Sequence, residues 1–107
     1  MINNFHIHLY YNESNINLAK DLAKKVEEKY SIKVGKFHKR NVGPHPMWSV
    51  QLSIPTDMFG DILSFVAINR NGLIVFSHPD TGNVLLDHTE YAIWMGDVLD
   101  LNLDMLI

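Results

Sequence analysis

Phe5 to Tyr11 alternates strictly, with Phe5, Ile7 and Leu9 on one side of an extended chain and His6, His8 and Tyr10 on the other. Such a strand belongs in a sheet with one apolar, covered face and one polar face. Trp48 to Ile54 repeats the pattern: Trp48, Val50, Leu52 and Ile54 point one way, Ser49, Gln51 and Ser53 the other. Between these strands, Leu18, Leu22, Val26 and Tyr30, joined by Ala19 and Ala23, make the apolar stripe of a helix capped by Ser14 or Asn15. Its other face carries lysines, Asp21 and glutamates and reads as solvated surface.

Ile32 to His38 alternates weakly and suits an edge strand. Pro55 stops the Trp48 strand, and Thr56 is placed to cap a second helix with the stripe Phe59, Ile62, Leu63 and Val66. Asn71-Gly72 closes that helix, and Leu73 to Phe76 gives a fourth strand. The order strand, helix, strand, strand, helix, strand predicts a ferredoxin-like α+β sandwich: a βαββαβ chain forming an antiparallel sheet with both helices on one face. The first strand then lies between the third and the fourth. A C-terminal extension adds a short helix and an extra strand, the latter expected over Leu99, Leu101, Leu103 and Met105, at an edge or given to a second copy.

With 107 residues and no internal linker, the expectation is one domain over 1–107. Net charge is -3 and no dense basic cluster exists, which argues against nucleic acid. There is no cysteine, so disulfides and thiolate chemistry are excluded. The sequence shows no signal peptide and no apolar run long enough for a membrane, giving a cytoplasmic expectation.

The remaining signal is histidine, of which there are six. His6 and His8 share a strand face, and in the predicted topology the end of the fourth strand, at His78, returns beside His6. The stretch Ser77 to Gly96 has Asp87 as N-cap, Glu90 as its capping-box partner and Gly96 as its close, and can fold across the open face and deliver His88. His6, His8, His78 and His88 are thus candidate metal ligands, with Asp80, Asp87 and Glu90 the nearest carboxylates. Imidazole and carboxylate ligands suit Fe, Zn, Cu or Ni. His45, held between Pro44 and Pro46 at the opposite end of the sheet, is a candidate general acid or base. Tyr10, Ser49 and Gln51 on the polar face are candidate substrate contacts, and Arg40 can pair with a substrate carboxylate. Tyr91 and Trp94, at helical spacing, read as packing, and His38 as surface.

Four motifs, Phe5-His6-Ile7-His8-Leu9-Tyr10-Tyr11, Gly43-Pro44-His45-Pro46-Met47-Trp48, His78-Pro79-Asp80-Thr81-Gly82 and Asp87-His88-Thr89 with Trp94-Met95-Gly96, together resemble the DOPA 4,5-dioxygenase family over nearly the whole chain. The resemblance implies a ferredoxin-like fold, a homodimer, and extradiol cleavage of a catechol such as dihydroxyphenylalanine by O2 at a non-haem metal. Fe(II) is the expected ion, with Zn or another divalent metal the alternative. By motif it points to His6, His8, His45, His78 and His88. Two other classes compete: a dimeric metal- or ligand-binding module without turnover, and a zinc hydrolase using the same histidines.

Overall fold

A computed structural model describes residues 2–107. The strands β1 (Phe5–Tyr11), β2 (Lys33–Val34), β3 (Trp48–Ile54), β4 (Ile74–Pro79) and β5 (Ile93–Met95) form one sheet in the order β2-β3-β1-β4-β5. All pairings are antiparallel. Helices α1 (Ile16–Tyr30) and α2 (Phe59–Asn69) supply the apolar cover, and the short helix α3 (Val84–His88) precedes β5. This is the ferredoxin-like sandwich that the order of elements predicts, with β1 in the middle.

The core follows the period of two. Ile7, Leu9, Val50, Leu52, Ile54 and Val75 are fully buried against Ala19, Leu22, Ala23 and Val26 of α1 and Ile62 and Val66 of α2. Phe5 stacks on Phe59 with ring centroids 3.7 Å apart, pinning the start of β1 to α2. Leu18 departs from the expected stripe: it is 38% exposed, and Ala19 takes the inward position. The loop before α1 is organised by Asn12, whose side-chain oxygen accepts from the Ser14 and Asn15 backbone amides, while Asn15 occupies the cap position without capping the helix through its side chain.

Four expectations are corrected. The edge strand is shorter than Ile32 to His38. Only Lys33–Val34 form the ladder, although Gly35 N donates to Gln51 O and His38 N to Ser49 O. A side chain at Gly35 would meet Gln51 O at 3.1 Å, so close approach rather than pleating governs that segment. The short helix is displaced: it spans Val84–His88, capped by Asn83 accepting from Leu86 N at 3.1 Å, and the run expected to be helical from His88 to Met95 is instead turn and the strand β5. Asp87 cannot cap it, since both carboxylate oxygens are held by Thr81. Gly96 closes a turn after β5 instead, at φ +87, where an added Cβ would lie 3.2 Å from Arg70 Nη1.

The extra strand is also elsewhere. Ile93–Met95 takes the free edge of β4, whereas Leu99 to Met105 forms coil and a short 3-10 turn over Leu103–Leu106, tied back by Asn102 N donating to Pro44 O. Among the described residues no helix is long and apolar enough to cross a membrane.

Candidate metal centre

β1 carries His6, His8 and Tyr10 on the face away from α1 and α2. The register sets His6 opposite His78 and Ser53, His8 opposite Phe76 and Gln51, and Tyr10 opposite Ile74 and Ser49. The face is not open. The loop before β3 and the segment after β4 fold over it, so His8, Tyr10, Ser49, Phe76 and His78 are all buried.

His6, His8 and His78 each offer a ring nitrogen, and these atoms lie within 4.8 Å of one another. His8 Nε2 is 3.1 Å from His78 Nε2. Two nitrogens each about 2.1 Å from one ion, at angles between square and tetrahedral, lie roughly 3.0–3.4 Å apart, so this spacing fits adjacent ligands. His78 Nδ1 donates to Pro79 O at 2.8 Å, which fixes the tautomer and leaves Nε2 as the lone-pair donor. That is the outer contact a ligating imidazole ordinarily makes.

The electrostatics agree. Burial pushes the His8 imidazole well below its usual range, and neighbouring His45, His78 and His6 push it further. Burial likewise lowers His78 to about 4, against the opposing effect of the Pro79 carbonyl, and lowers His45 to about 4 with help from His88 and His78. His6 is lowered by burial, partly offset by Asp80 and Asp87. At neutral pH these rings are uncharged, the form in which imidazole binds metal. The same shifts make the metal-free protein acid-sensitive. The folded chain holds fewer protons than the unfolded one below pH 6.5, so stability is lost as pH falls from there towards about 4. We expect the melting temperature of chelator-treated protein to fall by roughly 10 °C between pH 7 and 5. A flat profile in thermal denaturation would show that the rings are not buried as described.

A cavity of about 280 Å³ opens beside the three nitrogens, at the small end of ligand sites. Its wall includes Gln51, Asp80, Asp87 and His88 as well as His45 with Pro44. His88 rests against His78, with ring centroids 4.1 Å apart, and its Nδ1 donates to Val84 O at 2.7 Å. It stands next to the three-histidine set, outside the group of mutually close ligand atoms.

His45 is not at the far end of the sheet. The Lys39 to Met47 loop doubles back, Pro44 is buried, and the His45 ring centroid lies 4.3 Å from that of His8. Of the expected substrate contacts, Gln51 lines the cavity, while Tyr10 and Ser49 are buried away from its wall. Tyr10 instead bonds His45 Nδ1 at 2.7 Å. Arg40 is exposed and borders a separate surface hollow on the outer side of the His45 loop. Of the nearby carboxylates, Asp80 and Asp87 reach the wall and Glu90 is exposed.

Sequence reading missed the floor of the site. Phe76 is fully buried, 5.6 Å from the His8 ring, 5.3 Å from His78 and 4.5 Å from Trp94, which stacks on it from β5. The signal was available: once His78 pairs with His6, the residue two before His78 must sit opposite His8. Trp94 therefore packs, as expected, but from a strand rather than a helix, and Tyr91 is 43% exposed.

The comparisons point the same way. The profile of the Dopa 4,5-dioxygenase family matches residues 5–105. Among solved structures, a "putative dioxygenase" from Nostoc punctiforme superposes with a TM-score of 0.95 at 28% identity, covering 98% of this chain and 91% of that one. An "Uncharacterized 21.2 kDa protein" of Botryotinia fuckeliana is 32% identical over 94% of this chain, and a DOPA 4,5-dioxygenase of Amanita muscaria is 27% identical over 95%. The matched region spans 62% and 49% of those two proteins' lengths.

Proposed function

The chain belongs to the Dopa 4,5-dioxygenase family, and we propose that it cleaves the ring of a catechol with O2, extradiol fashion, at a divalent metal held by His6, His8 and His78. The observation that carries this reading is the convergence of three neutral imidazoles beside a small cavity whose wall includes Gln51, Asp80 and His45. Fe(II) is the ion we assign, and the imidazole donor set accepts zinc as well. When bound, the metal supplies the electron exchange between catechol and O2 that side chains do not provide.

The chain's own residues account for the rest. Phe76, fully buried and packed against the His8 and His78 rings, excludes water from that side of the site and restricts how both rings can turn. Gln51, opposite His8, presents an amide that can donate to one catechol oxygen and accept from the other hydroxyl. Asp80, on the wall near His6, is the carboxylate available to accept a catechol proton. His45 meets the same space, where a ring N–H stabilises an oxygen that gains negative charge as the ring opens. His88 borders the cavity and is a further polar contact there. In the products both atoms of O2 are retained, and the carbon–carbon bond beside one hydroxyl is broken.

The homodimer is part of the proposal. Val84, Leu85 and Leu86 leave apolar side chains 47%, 41% and 37% exposed on α3, as a paired surface would. Light scattering on the purified protein should return twice the chain mass.

The test of the activity is anaerobic loading with Fe(II), addition of a catechol, then labelled O2. A yellow product containing both labelled atoms is expected, with one O2 consumed per ring. Metal binding without O2 consumption across a catechol panel would leave the binding module or the zinc hydrolase in its place. Replacing Gln51 with Leu should raise KM for the catechol roughly tenfold, about the worth of one hydrogen bond, without changing metal content. Equal kinetics in steady-state assays would remove Gln51 from the site.

A further inference from the structure

We propose that Tyr10 is a positioning residue whose hydroxyl donates to His45 Nδ1 and holds His45 as the tautomer with its Nε2–H turned to the cavity. The two groups are 2.7 Å apart, and no other hydrogen bond to either is found among the described residues' side chains. Tyr10 is 1% exposed, with its ring packed beside the stacked pair of Phe76, at 6.4 Å, and Trp94, at 6.0 Å. It is therefore carried by the central strand, without freedom to seek water.

The tautomer follows from satisfying both groups. A neutral imidazole has one N–H and one acceptor nitrogen, and a phenol has one O–H to donate. If Nδ1 carried the proton, the phenol oxygen would accept it and the buried Tyr10 O–H would be left without an acceptor. With the phenol donating, both are paired, and the ring proton sits on Nε2. The backbone of the loop supports this placement, since His45 N donates to Val42 O and Asn102 N anchors Pro44 O.

The consequence for the chemistry rests on the ring-cleavage reading above; the tautomer itself does not. A His45 held this way has no free lone pair facing the cavity. It acts there as a hydrogen-bond donor to a substrate or oxygen atom, not as a base. The group that removes a catechol proton must then be another wall residue, such as Asp80.

The test is a long-range proton–nitrogen correlation spectrum of metal-free protein labelled with nitrogen-15 at histidine, with His45 assigned through His45→Gln. We expect His45 in the Nε2–H form in the parent protein. In Tyr10→Phe, which keeps the ring packing, we expect its two nitrogen shifts to move towards a mixed or Nδ1–H pattern. Kinetically, Tyr10→Phe should lower kcat about tenfold with KM for the catechol little changed. An Nδ1–H signature in the parent protein would overturn the proposal whether or not the variant folds. So would an unaltered His45 pattern in Tyr10→Phe. Absence of ring cleavage in the parent protein would sink the reading of the activity and leave the spectral result standing by itself.

Discussion

His8→Ala is expected to abolish turnover, with ring-cleavage activity reduced by at least about 10³-fold. His8 is 3% exposed, belongs to the three-histidine set, and its Nε2 lies 3.1 Å from that of His78. Loss of an outer contact to a metal ligand ordinarily costs roughly 10–100-fold in affinity, and loss of the ligand itself should exceed that. Plasma emission analysis of dialysed protein should therefore find the variant nearly metal-free where the parent is loaded. Far-ultraviolet circular dichroism should be unchanged, because Ile7 and Leu9, not His8, fill the core. A variant that keeps both metal and turnover would mean that the histidine face is not the reaction site.

Phe76→Ala is expected to be the most destabilising single change on this face. The side chain is completely buried and touches the rings of His8, His78, His88 and Trp94. Truncating a buried phenylalanine costs about 3–5 kcal/mol, which for a chain of this size is a fall of more than roughly 10 °C in melting temperature. Differential scanning calorimetry reads the stability, and the remaining activity at low temperature reads the site. Both should fall, since the floor that orients two proposed ligands is removed. A melting temperature within a few degrees of the parent would show that the floor collapses without cost and does not organise the rings.

The parts of the fold that could be read in advance are those where burial imposes a period. β1 and β3 alternate because one side faces α1 and α2, and that alternation also placed His6, His8 and Gln51 on the other side. The helices left their stripes for the same reason, although Leu18 shows that a stripe one residue too wide cannot be trimmed without seeing the neighbour. The return of His78 to His6 followed from topology alone.

What was not legible depends on contacts distant in sequence. Asp87 has the chemistry of a cap, but it lies within α3, which Asn83 caps, and both its carboxylate oxygens are held by Thr81. Leu99 to Met105 alternates like a strand, yet the edge it would need is taken by Ile93–Met95. His45 lies on a loop whose path is set by Pro44 accepting from Asn102, 58 positions later, and nothing local encodes it. Tyr10 shares the polar side of β1 and was expected to meet a ligand. The returning loop covers it and turns it into a partner of His45.

The most direct test of the metal centre is X-ray absorption on protein loaded anaerobically with one equivalent of Fe(II). The edge and scattering should show a mononuclear ion with three imidazole nitrogens at about 2.1 Å, the remaining ligands being oxygen. His78→Ala should lose that imidazole signature. An ion surrounded by oxygen alone, or no stoichiometric binding, would contradict the assignment of His6, His8 and His78 as its holders.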